Sequence, residues 1–164
     1  MSVVYAEKDA VLSDDGVYRY LLRRVWDHRR LRMLYVMLNP STADADMDDA
    51  TIRSCVRLAH DAGYGSFEVV NLFALRSTDP AVLIKHPDPV GNPKNADVVV
   101  AALGRCDVAV CAWGAHPMAG ERGRLMVSTI KGYKPAAYCL GRTKAGYPRH
   151  PLYVRSGTAL EVYP

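Results

Sequence analysis

The chain has 164 residues, 49% of them hydrophobic and 23% charged, which suits one domain around one sizeable core and excludes a disordered chain. A formal net charge of +4, with a pI near 8.9, permits an anionic partner such as nucleic acid or a nucleotide without requiring one. The opening Met-Ser-Val-Val-Tyr-Ala-Glu lacks the basic flank and apolar run of a signal peptide, and no apolar run reaches the roughly 18 residues of a membrane span. A soluble cytoplasmic protein without membrane contact is the expectation.

Residues 17–26 mix aromatic and β-branched residues with arginines. They read as a strand, placed at an edge where the arginines can face water. Residues 33–38, MLYVML, are a short unbroken apolar run ending at Asn39-Pro40, the pattern of a strand buried on both faces. An acidic stretch follows, with Asp44, Asp46, Asp48 and Asp49. Residues 50–62 then place Ile52, Cys55, Val56, Leu58, Ala59 and Ala62 on one helical face. Asp48 or Asp49 is positioned to cap that helix, and Gly63 and Gly65 end it.

Residues 67–73, FEVVNLF, read as a second buried strand, 80–86 as a helical turn and 87–93 as a Pro/Gly-rich loop. A helix is expected over 94–104, a third strand over 107–112 and a helix over 118–131. A fourth strand spans 135–140, followed by a basic loop over 142–151 and short strands at 152–154 and 159–163. The alternation of strand and helix asks for a parallel sheet joined by right-handed crossovers. The predicted fold is therefore a single three-layer α/β/α domain with a mainly parallel four-stranded sheet and an N-terminal edge strand.

Cys55, Cys106, Cys111 and Cys139 form no C-x-x-C pair, so buried free thiols are expected rather than a zinc site. The acidic stretch lacks the glycine and distal glutamate of an EF-hand loop, and helix capping with solvation is its better reading. No Walker loop, GxGxxG, GxSxG or HExxH occurs. No metal and no cofactor is expected.

Ligands of open parallel sheets bind beyond the carboxyl ends of the strands. The polar residues that follow each strand are therefore the candidates. They are Asn39, Pro40 and Ser41 after the first, and Asn71, Arg76, Ser77 and Thr78 in and after the second. Trp113, Gly114 and His116 follow the third; Gly141, Arg142, Thr143, Lys144, Arg149 and His150 follow the fourth. Asn39 could orient a water, read a base edge or bond its own turn. Asn71 sits in an apolar strand, so its amide needs either a structural partner or a ligand. His150, in a loop, is a candidate acid/base or hydrogen-bond donor. His28, His60, His86 and His116 read as surface residues.

The segments LNPSTADADMDDATIRSC, VVNLFALRSTDP, AWGA and PRHPLY, in that order, resemble a family of bacterial and phage domains of unknown function. The likeness runs from about Arg19 to Tyr153. More distantly, the pattern is similar to the uracil-DNA glycosylase superfamily, which has a parallel sheet flanked by helices. That resemblance implies a water-positioning role for Asn39 and a base-reading role for Asn71. It sets Trp113-Gly114 beside a Trp-Gly pair and makes His150, in a His-Pro motif, the residue that stabilises the departing base. Departures are Ser41, where an aromatic would follow Pro40, and Leu-Tyr after His150-Pro151.

The leading expectation is an N-glycosidic hydrolase acting on a base in nucleic acid or a nucleotide. Asn39 and His150 would be catalytic. Pro40, Ser41, Asn71, Arg76, Trp113 and Gly114 would bind substrate, and Arg142, Lys144 and Arg149 would hold phosphates. The alternatives are a non-catalytic nucleotide or nucleic-acid binding module, and a metal-assisted hydrolase or transferase on another small anion.

Overall fold

The computed structural model describes residues 2–164. Its strands are β1 (Glu7–Leu12), β2 (Arg19–Val25), β3 (Arg32–Met37), β4 (Ser66–Asn71), β5 (Val108–Cys111), β6 (Ala137–Cys139) and β7 (Glu161–Tyr163). Its helices are α1 (Ala50–Asp61), the short α2 (Val82–Lys85), α3 (Lys94–Arg105) and α4 (Ala119–Tyr133), and a 3-10 turn spans Pro151–Tyr153. The strands form one mixed sheet in the order β1-β2-β4-β3-β5-β6-β7. β4, β3, β5 and β6 run parallel, while β1, β2 and β7 are antiparallel additions.

The apolar runs explain the interior. Every residue of β4 and of β5 is buried, as strands covered by helices on both faces must be. Alternation sends Phe67 and Val69 to one face and Val70 to the other, where two separate cores form. On the first face α1 packs Ile52, Cys55, Leu58 and Ala59. On the second, α3 and α4 pack Val99, Ala102, Leu103, Met126 and Ile130. Each large aliphatic side chain buried this way contributes about 1.5–3 kcal/mol.

The four-stranded sheet expected from the sequence is corrected to seven strands. The arginine-rich strand is also not an edge: β1 covers it on one side and β4 pairs with it on the other. Its arginines consequently do not face water. Arg24 is fully buried, with Nε donating to Asp48 Oδ1 at 2.8 Å and Nη2 to the Asp44 carbonyl at 2.6 Å. Arg23 reaches the other face, where Nε donates to Glu68 Oε1 at 2.9 Å. Glu68 is fully buried and is also met by Arg32 and Arg105, so its carboxylate is multiply paired, as a buried charge must be. The segment 152–154 is not a strand; its first residues lie in the 3-10 turn, which Pro151 opens.

The acidic stretch is a loop fastened by its own side chains. Asp44 Oδ1 accepts from the Asp46 and Met47 amides, and these bonds hold its carboxyl below the usual range. Asp48 takes Arg24 and the Tyr5 hydroxyl, at 2.8 and 2.6 Å. Asp49 caps α1 by accepting from the Ile52 amide at 2.9 Å, which satisfies one of the orphan donors of the helix start. Among the described residues, no group of three or more His, Cys, Asp or Glu is arranged to hold a metal ion. No helix there is long and apolar enough to cross a membrane. All four cysteines are free and buried. Burial pushes each thiol up, that of Cys111 to about 12, so none is a ready nucleophile at neutral pH.

Candidate functional site

β3 and β4 stop side by side, with Met37 opposite Asn71. Their pairing continues past the strand ends, where Leu72 N donates to the Met37 carbonyl and Phe73 N to that of Leu38. The chain after β3 then turns away toward the start of α1. A cavity of about 290 Å³ lies in the opening between these strand ends and the α1 N-terminus. Met37, Asn39, Pro40 and Ser41 line it from β3, Asn71 from β4, and Asp49, Thr51 and Ile52 from the start of α1. Ser77, Thr78 and Pro80 come from the loop after β4, His150 and Tyr153 from the C-terminal loop, and Arg19 from β2.

Asn71 continues the face that carries Phe67 and Val69, the face covered by α1. It is 1% exposed, and neither its Oδ1 nor its Nδ2 has a hydrogen-bond partner. Its backbone carbonyl is occupied, accepting from Asn95 Nδ2 at 3.2 Å. A buried amide left in this state costs about 1–3 kcal/mol, and a group that supplies both an acceptor and a donor would relieve that cost.

Asn39 differs. Its Nδ2 donates to the carbonyls of Pro40, Leu75 and Ser77, at 3.1, 3.3 and 3.1 Å. Three carbonyls around one nitrogen fix the amide's orientation. Oδ1 has no partner among the described residues, so the group that can act on a water is an acceptor. Asn39 thus fastens the loop and keeps one free oxygen.

His150 is half-buried, and burial lowers its pKa from the ordinary histidine value, against the attraction of Asp49. Its Nδ1 accepts from the Leu152 amide at 3.2 Å and so caps the 3-10 turn. With Nδ1 an acceptor, the neutral ring carries its proton on Nε2. Gly114 supports this segment from behind. Its amide donates to the Pro148 carbonyl at 2.9 Å, and its φ of 75° suits glycine. A Cβ there would stand 3.7 Å from that of His150.

The other expected residues lie elsewhere. Arg76 stands beside the cavity and grips its wall, with Nε donating to the Ser41 carbonyl at 3.3 Å and Nη1 to that of Gly16 at 3.4 Å. Trp113 is buried in the second core, edge-on to Tyr163 and against Gly123. It borders a separate cavity of about 270 Å³ with Tyr163 and Arg124; no lining residue of that cavity holds an unpartnered buried polar atom. Arg142, Lys144 and Arg149 are exposed and outside the Asn71 cavity. Arg142 faces Glu161 at 3.7 Å, and Arg149 Nη2 donates to the Tyr153 carbonyl at 3.1 Å. His28 and His60 are exposed; the Nδ1 atoms of His86 and His116 accept backbone amides two residues on.

Arg19, Asp49 and Tyr153 line the cavity without having been singled out as site residues. Asp49 was legible as a helix cap. Arg19 carried a misleading signal, since an arginine at the start of a strand reads as solvent-facing. Compared with known proteins, the chain matches no curated protein and no solved structure. A family model described as "Protein of unknown function (DUF1643)" covers residues 19–152, which takes in every residue of the cavity except Tyr153, and the chain belongs to that family.

Proposed function

We propose that the protein is an N-glycosidic hydrolase acting on a base in nucleic acid or a nucleotide. One observation carries the reading: the buried, unpartnered amide of Asn71 shares a cavity with Asn39 and His150. A nucleobase edge offers donors and acceptors side by side, which is what that amide lacks. Asn39 Oδ1 accepts a hydrogen bond from a water and orients its lone pair toward the anomeric carbon. As the carbon–oxygen bond forms, the glycosidic carbon–nitrogen bond breaks, the pair of electrons leaves with the base, and the water's proton passes to solvent. His150 donates from Nε2 to the departing base and stabilises the negative charge that builds there. The distant resemblance of the sequence to uracil-DNA glycosylases implies the same three roles. A substrate base in a duplex would have to leave the stack to enter.

A mixed panel of uracil-containing and modified oligonucleotides, with free nucleotides, tests the reading. Free base and abasic sites are scored. Release that is lost in both Asn39→Ala and Asn71→Leu supports it. Nucleotide binding with no release in any condition would make the protein a binding module instead.

The pH profile checks His150 separately. Protonation at Nδ1 would break the bond from the Leu152 amide, and burial opposes the charge. The neutral ring is therefore the working form, and base release should hold constant from pH 8 down to about 6.5, the ordinary histidine pKa. It should fall only below that, on a limb that His150→Gln removes. A rate that rises as pH falls would assign the role to the imidazolium instead.

A further inference from the structure

Arg19 takes no part in the chemistry above, yet it is a buried charge without an ion pair on the wall of the same cavity. It opens β2 and is 2% exposed. Nη1 donates to the Ala43 carbonyl at 2.8 Å, and Nε is buried without a partner. Its neighbours on the same strand, Arg23 and Arg24, each meet a carboxylate at 2.9 and 2.8 Å. Among the described residues, no ion pair reaches Arg19. The carboxylate whose charge it feels most is Asp49, which lines the same cavity without making a salt bridge to Arg19 and whose Oδ1 accepts from the Ile52 amide. Arg76 adds a second positive charge nearby. Burial lowers the Arg19 pKa to about 10, which leaves it charged at neutral pH.

A buried guanidinium with no carboxylate in direct contact is costly. Its planar fork of donors suits the oxygens of a phosphate or carboxylate. The cavity that it lines is about 290 Å³, at the small end of the ligand-site range of about 300–1,000 Å³. That volume suits one nucleotide rather than a length of polymer.

We infer that the cavity binds a nucleoside monophosphate unit, its phosphate on Arg19 and its base edge on Asn71. The Asn71 half rests on the base-site reading; the Arg19 half does not require catalysis. The phosphate can belong to a free nucleotide or to a strand whose nucleotide has turned into the cavity, and Arg19 treats the two alike.

Calorimetric titrations at one fixed ionic strength test this, using the common nucleoside 5′-monophosphates, the matching nucleosides, inorganic phosphate and a short single-stranded oligonucleotide. At least one monophosphate should bind tenfold or more tighter than its nucleoside. R19Q should erase that difference and leave nucleoside affinity within about twofold. R19K, which keeps the charge and loses the fork, should retain part of it, and it decides the matter if R19Q does not fold. An oligonucleotide that binds where the free monophosphate does not, and is lost in R19Q, places the phosphate in a strand and supports the seat on Arg19.

Equal affinity for nucleoside and monophosphate, with no oligonucleotide binding that R19Q loses, overturns the inference, as does a phosphate preference that survives in folded R19Q. The two readings fail differently. A phosphate preference without base release would remove the hydrolase and leave the anion seat. Base release from nucleosides as fast as from nucleotides would remove the anion seat and leave the hydrolase.

Discussion

Asn71→Leu is expected to stabilise the protein and to cut base release sharply in the same step. The amide of Asn71 is buried and bonds nothing through either of its polar atoms. An unpaired buried polar group costs about 1–3 kcal/mol. Leucine is of similar size and places apolar atoms against Met37 and Ile52, which also line the cavity. Removing the penalty should raise stability by about 1–2 kcal/mol, which is several degrees in melting temperature at about 2–4 °C per kcal/mol for a domain of this size. Base release should fall about 10²–10³-fold, the loss seen when one preorganised hydrogen-bonding group is removed. Differential scanning calorimetry and a base-release assay on the same preparation check both halves. A destabilised Asn71→Leu would mean that the amide is satisfied within the fold, and the case for a ligand there would lapse.

Asn39→Ala is expected to lower the rate of base release about 10²–10³-fold, the loss seen when one preorganised polar group is removed. It also removes the three bonds from Nδ2 that hold the carbonyls of Pro40, Leu75 and Ser77. A structural and a catalytic role must therefore be separated. If Oδ1 orients the water, kcat falls while nucleotide affinity stays within about threefold, because Asn71 and Arg19 still hold the ligand. If Asn39 only fastens the loop, affinity and kcat fall together and the melting temperature drops with them. The comparison of kcat with Kd distinguishes these outcomes in one variant.

The parallel interior of the sheet was legible in the sequence because four short apolar runs announce strands buried on both faces. Asn39, Asn71 and His150 were legible as candidates because strand ends collect ligands in this topology, and the structure places all three on one cavity. What escaped detection has a common cause. Residues 7–12, EKDAVL, have little of the alternation of a strand, so nothing revealed that β1 would cover the arginine-rich β2. Without β1, the arginines read as solvent-facing. With it, Arg24 turns to the 44–48 loop and Arg23 to Glu68, pairings 24 and 45 residues apart in sequence that no local pattern shows. Arg19 was missed for the same reason. Trp113 and the basic residues at 142–149 follow the right strands, but position after a strand does not say which way a side chain turns. Trp113 turns into the second core, against Gly123 of α4.

The roles of Asp44, Asp48 and Asp49 show how a charge cluster can be read locally. Each sits two or three residues before a backbone amide that needs an acceptor, or across from Arg24. Their spacing suits a loop that closes on itself and then starts a helix. This loop sets the position of the α1 N-terminus and, with it, one wall of the cavity. The buried Arg24 thereby connects the sheet to the cavity wall without lining the cavity itself.

On the proposed reading the Asn71 cavity, and not the Trp113 cavity, receives the nucleotide. Side-chain amide and imidazole resonances report on it directly, since ¹⁵N-labelled protein can be titrated with a nucleoside monophosphate. The Asn71 Nδ2 and His150 Nε2 signals should shift together, with one common Kd, and the Asn71 shift should vanish with Asn71→Leu. Shifts confined to the Trp113 indole and the Arg124 side chain, with Asn71 and His150 unmoved at saturating nucleotide, would place the nucleotide in the Trp113 cavity instead.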